Sequence, residues 1–291
     1  MKMSDIAELL LLAALWGGSF LFMRIAAPVL GPVWLIEIRV LLAGVALLPL
    51  LIKRSLLKEM RQQAVPLLVV GCINSAIPFL LLAFASISLP AGFTSILNAT
   101  APLFGTVIAT VWIKESLSFS RMIGFALGFA GVVVLIGWKS FSAEAAFPAA
   151  VIAGLSGALM YAIAAPYIKQ KMTGVPSLVV TTGSQLGAAV AILPFLPFTV
   201  PTQSPSASII FSVVALALFC TSFAYILYFR LIQNIGATRA LTVAYLVPIS
   251  AMLWGSLVLG EAITASMVLG CCLILSGTAI ANDLLRNRTQ S

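Results

Sequence analysis

Long apolar stretches alternate with short polar or Pro/Gly-marked breaks along the whole chain. A helix needs about 20 apolar residues to cross a hydrocarbon core of roughly 30 Å. Ten stretches approach that length: 6–27, 33–52, 65–84, 90–113, 120–138, 148–168, 177–198, 207–229, 237–259 and 264–282. The loops between them are short and leave no room for a soluble domain. The pattern predicts an all-α integral membrane protein with ten transmembrane helices.

Composition agrees. The 291 residues are 62% hydrophobic and 8% charged, with a mean hydropathy of +1.15, whereas soluble domains carry about 25% charged residues. A net charge of +8 would suggest nucleic acid in a soluble chain. Here the basic residues fall in short loops, where they orient spans, so the partner is a lipid bilayer and no nucleic acid is expected. The apolar run after Lys2 exceeds the usual 7–15 residues of a signal peptide core and lacks a clear A-x-A site, so it reads as a first span. Cys72, Cys220, Cys271 and Cys272 all lie in apolar runs and read as packing residues. With no histidine in the chain, no metal site or cofactor is expected.

Charge placement gives an orientation. With a cytoplasmic N-terminus, the inside set is Lys2, Lys53, Arg54, Lys58, Arg61, Lys114, Arg121, Lys169, Lys171, Arg230, Arg286 and Arg288, against Lys139 outside. That bias predicts an even number of spans with both termini cytoplasmic.

A proline and a glutamate thirteen residues apart occur twice, as Pro102/Glu115 and Pro248/Glu261. A shift of 146 residues superposes these pairs and also Ala91 on Ala237, Ser120 on Ser266, Gly124 on Gly270, Leu127 on Leu273 and Gly131 on Gly277. Two five-helix units are predicted, over 1–140 and 141–291. Five is odd, so the second unit enters from the opposite side: an inverted repeat, whose site would lie near mid-membrane between the copies.

The stretches "ALWGGSFLFMRIA" (14–26), "IEIRVLLAG" (36–44), "SLPAGFTSILNATAPLFGTVIATVWIKESLS" (88–118) and "CTSFAYILYFRLIQNIGATRALTVAYLVPISAMLWGSLVLGEAIT" (220–264) resemble the EamA family of the drug/metabolite transporter superfamily. The resemblance covers nearly the whole chain. It implies a multi-pass carrier of the bacterial inner membrane, acting as an exporter of amino acids or other small metabolites.

Polar residues single out a site. Spans five and ten are nearly bare and carry Gly124/Gly128/Gly131 and Gly270/Gly277, which reads as close helix packing or dimerisation. The other spans place polar or aromatic groups at mid-depth. Trp16, Ser19, Arg39, Asn74, Asn98, Tyr161, Gln185, Thr221, Tyr225 and Tyr245 are the candidate cavity-lining residues. The amides of Asn74, Asn98 and Gln185 must face protein, water or ligand, since hydrocarbon would leave them unpaired. A Ser or Thr bonded back to its own helix, or a Tyr or Trp anchoring an interface, is the structural alternative. Arg39 needs a partner such as an anionic substrate group. Arg24 and Glu37, near one interface, are expected to bridge. Glu115 and Glu261 are expected as anchors at the membrane surfaces, and Pro102 and Pro248 as helix kinks.

These features predict a secondary transporter working by alternating access on a small-molecule substrate, as a monomer or homodimer. Multidrug or lipid-type efflux is the alternative within the same fold. No Walker motif offers ATP as the energy source. An enzyme is not expected, because no paired carboxylates or base-activated nucleophile occur at membrane depth.

Overall fold

In the computed structural model, residues 2–112, 118–137 and 146–281 are described, and every regular element among them is helical. Seven helices are long and apolar enough to cross a membrane: α1 (Met3–Lys53), α3 (Ala64–Ser88), α4 (Ala91–Ile108), α5 (Phe119–Ile136), α6 (Ala146–Lys171), α7 (Ser177–Phe198) and α8 (Ala207–Ile235), with a short α2 (Leu57–Gln62) after the first. Two apolar helices of 17 residues follow, α9 (Val243–Leu259) and α10 (Ala265–Ala281). The fold is that of an all-α integral membrane protein.

At about 1.5 Å per residue, the 51 residues of α1 would be more than twice as long as the hydrocarbon core is thick. The helix is not straight through. Gly31, between Pro28 and Pro32, has φ 69° and ψ 159°, a conformation that excludes most side chains and breaks the helical ladder. The arms on either side hold the first two apolar runs.

Three further irregularities shape the interior. In α3 and α8 the residues Cys72–Ala76 and Leu218–Phe223 form widened π turns. In α4 the helix breaks between Asn98 and Ala101. Pro102 therefore follows the break, in the first turn of the next segment, where its missing N–H is harmless. Pro248 sits inside the continuous α9, and the break there lies earlier, at Leu241 and Thr242. The break in α4 thus falls in the turn before Pro102, and the turn at Leu241 and Thr242 falls before α9 and its Pro248.

Polarity runs from inside to outside. Arg39, Gln185, Thr182 and Ser75 are buried, whereas Phe119, Phe129, Phe211 and Leu257 stand exposed on the perimeter. In water such a perimeter would aggregate; in a bilayer it is solvated. The scaffold closes through α5 and α10, which run antiparallel. Gly124 lies against Gly277 and Ala281, and Gly131 against Gly270 and Ile274, so the backbones touch, as small residues permit.

Candidate functional site

The π turn of α8 is held open by hydroxyls. Such a turn takes up an extra residue and loosens the backbone ladder. The Thr221 hydroxyl donates to the Leu216 carbonyl at 2.9 Å, and the Ser222 hydroxyl lies 3.1 Å from both the Ala217 and the Ala43 carbonyls. This leaves a lone pair of Thr221 Oγ1 turned toward Arg39, whose Nε donates to it at 3.1 Å.

Arg39 comes from the second arm of α1 and is 5% exposed. Its guanidinium lies 3.7 Å over the centre of the Phe79 ring from α3, and Nη1 points at Met23 Sδ, 3.8 Å away. No ion pair joins it to a carboxylate among the described residues. A desolvated cation–π contact contributes about 2 kcal/mol and a charge-assisted hydrogen bond about 1.5–3 kcal/mol. Taking an ion out of water costs several kcal/mol and is normally offset by an opposite charge. The contacts present fix where the guanidinium sits and leave its charge uncompensated.

Aromatic side chains wall this position. Phe79 meets Tyr161 edge-on at 6.5 Å, and Trp16 meets Tyr225 at 6.3 Å and Tyr228 at 5.2 Å. Tyr161, Cys220 and Tyr225 all lie within the electrostatic reach of Arg39. Five of the ten cavity candidates, Trp16, Arg39, Tyr161, Thr221 and Tyr225, thus form one cluster.

Gln185 forms the second polar point. It is 1% exposed, and its Nε2 donates to Ser75 Oγ at 3.1 Å, inside the π turn of α3. Its Oε1 is buried and lacks a hydrogen-bond partner among the described residues. The two polar bonds are related by the sequence. A shift of 146 residues carries Arg39 onto Gln185 and Ser75 onto Thr221. It also carries Phe79 onto Tyr225 and the π turn at 72–76 onto the start of that at 218–223.

The remaining candidates are Ser19, Asn74, Asn98 and Tyr245. Ser19 donates to the Trp16 carbonyl at 2.6 Å, the helix-internal alternative for a serine. Asn74 is half-buried within the α3 π turn and Tyr245 half-buried in α9. Asn98 lies at the break in α4, with its Oδ1 buried and unpartnered among the described residues.

The expected Arg24–Glu37 bridge is replaced by another pairing. Arg24 Nε faces Glu261 Oε1 at 3.4 Å, while Nη1 donates to the Ser86 carbonyl at 3.0 Å and to that of Ile87. Glu261 Oε2 accepts the Ala91 N–H at 2.9 Å, at the start of α4. Left-handed Gly260 (φ 67°) ends α9 and turns Glu261 back across these elements. Glu37 is buried, with Oε2 unpartnered among the described residues. Glu115 lies outside the described residues.

Sequence reasoning did not select Phe79, Met23 and Ser75. Phe79 and Met23 are apolar and carry no signal alone; the 146-residue shift from Tyr225 and Thr221 would have found Phe79 and Ser75.

Apolar helices around a buried, uncompensated cation suit a membrane carrier for small molecules. The EamA-like transporter family model matches residues 6–137 and 148–282, and the chain belongs to that family. It is 23% identical over 278 residues to an uncharacterized transporter of Archaeoglobus fulgidus, covering 94% of this chain and 96% of the relative. It is 26% identical over 253 residues to YedA, an uncharacterized inner membrane transporter of Escherichia coli, covering 86% and 81%. It is 25% identical over 295 residues to a probable terminal-alkyne amino-acid exporter of Streptantibioticus cattleyicolor, covering 97% and 95%. A crystal structure superposes over the full length of both chains with a TM-score of 0.68 at 21% identity, a likeness of fold.

Proposed function

We propose that this transporter exports small polar metabolites, amino acids or related compounds, across a bacterial inner membrane by alternating access. The chain crosses ten times with both termini cytoplasmic. The units 1–140 and 141–291 enter from opposite sides and rock about a site lined by the Arg39 cluster and Gln185, with Asn74, Asn98 and Tyr245 along the same path.

One observation carries this reading: the matched pair of bonds Arg39–Thr221 and Gln185–Ser75. Each joins one half of the chain to the other, and a single 146-residue shift converts one into the other. Equivalent bonds across an interface are what an inverted repeat produces, and such folds bind substrate between the copies. The amino-acid relative supports the substrate class. A buried guanidinium also repels the hydrophobic cations that a multidrug carrier would move.

The test compares metabolites excreted by cells with and without the protein, followed by uptake into inside-out vesicles. Accumulation of a small polar metabolite outside expressing cells is expected. If only hydrophobic cations respond, the efflux alternative replaces this reading. Cysteine labelling at Lys139 and Thr173 should find the first from outside and the second from inside; the same face for both would remove the proposed topology.

A further inference from the structure

The equivalent positions 39 and 185 hold different groups, a cation and an amide. Arg39 has five N–H donors. Nε is used by Thr221 and one Nη1 position approaches Met23 Sδ, while no carboxylate pairs with the charge among the described residues. Gln185 uses its NH2 on Ser75 and leaves Oε1 as a buried acceptor with no donor among the described residues.

Their anchors give the spacing. Phe79, under the guanidinium, and Ser75, holding the amide, are four residues apart on α3, so they share a face. Their separation along the axis is about 6 Å. An unneutralised cation and an unfilled acceptor are therefore anchored about one helical turn apart on α3, beside aromatic side chains in a buried setting that strengthens both interactions.

We propose that Arg39 and Gln185 are the two specificity-determining points of the carrier. The solute's carboxylate docks on the free Nη edge of Arg39, and an N–H donor on the same solute, such as an ammonium, docks on Gln185 Oε1. The solute thus binds in one fixed orientation, acid end toward Phe79 and donor end toward Ser75. Tyr161 and Tyr225, the aromatic hydroxyls close to Arg39, flank the acid end. This assignment rests on the carrier reading above.

The experiment uses the full chain in proteoliposomes and measures counterflow of labelled leucine, phenylalanine and glutamine. Each is competed by its methyl ester, which lacks the acid, and by its deaminated acid, which lacks the ammonium. The wild-type protein should prefer each amino acid to its ester by at least about tenfold, as a site built around a buried charge does. Arg39→Gln should reduce that preference to within about twofold, and Arg39→Lys should keep part of it, because the charge remains without the planar fork. Gln185→Leu should lose the preference over the deaminated acid and retain that over the ester. Thr221→Val removes a contact that positions Arg39 without removing its charge, so it should weaken the ester preference less than Arg39→Gln does.

If wild-type protein moves none of the three amino acids, the amino-acid reading fails and the site fails with it. If it moves them and Arg39→Gln lowers the rate with an unchanged ester ratio, the carrier reading stands and the two-point site is overturned. Arg39 would then be a structural tie between the halves.

Discussion

The closest backbone approach described, between α5 and α10, offers the sharpest test of the scaffold. A Cβ placed on Gly124 would lie 2.5 Å from Ala281 N and 2.6 Å from the Gly277 oxygen; one on Gly277 would lie 2.5 Å from the Gly124 oxygen. These are backbone atoms that no side-chain rotation can move away. Restoring ordinary contact, at about 3.4 Å, would require the helices to part by about 1 Å, unpacking neighbours along their length. Overpacking of this kind costs about 1–3 kcal/mol, and rigid backbone on both sides puts the figure near the top. Alanine recovers about 1 kcal/mol of helix propensity, so Gly124→Ala or Gly277→Ala should lose about 2 kcal/mol net. The two should be subadditive when combined, since the first substitution opens the gap for the second. Gly105, in the helix that follows the α4 break, has nothing within 4 Å of its Cβ position, so Gly105→Ala should be neutral or stabilising. Thermal melting in detergent, followed by size-exclusion chromatography, reads all four variants. The packing argument is refuted if Gly124→Ala and Gly277→Ala melt with the wild type and with Gly105→Ala.

Other outcomes follow from single contacts. Glu261→Ala should lose about 2 kcal/mol, mostly the charge-assisted bond to the Ala91 N–H. The half-exposed Arg24 pair adds only about 0.5 kcal/mol. Glu261→Gln keeps an acceptor and should lose about half as much, so equal melting temperatures for the two would contradict the assignment. Gly31→Ala should cost about 1–2 kcal/mol through its positive φ alone, nothing lying within 4 Å; an unchanged melt would place the break elsewhere. Ser222→Ala removes the hydroxyl shared between the Ala43 and Ala217 carbonyls and should cost about 1 kcal/mol, with no effect predicted on solute preference.

The membrane class was legible in the apolar runs, because hydrocarbon length imposes itself on composition directly. The polar interior was partly legible for the same reason: Gln185 and Arg39 could not face lipid. The partners of those residues were not. Arg24 finds Glu261 from the far end of the chain, and no local rule links them. Phe79, the platform of Arg39, stands just past the π turn of α3, and nothing in the residues there announces an extra residue in the turn. The 146-residue shift held more than its identities suggested. It relates Arg39 to Gln185 and Ser75 to Thr221, pairs hidden because the residues differ while their positions correspond. A proline disrupts the turn before it, which is where α4 breaks ahead of Pro102, whereas Pro248 gives no sign of the turn at Leu241 and Thr242.

Counterflow in proteoliposomes tests the central claim most directly. Vesicles containing the purified protein are loaded with unlabelled amino acid, and entry of the labelled compound is followed from outside. A carrier that alternates between two faces predicts saturable entry, stimulated by the solute on the other side. Flux that rises linearly with concentration and ignores the internal solute would contradict alternating access and describe a pore.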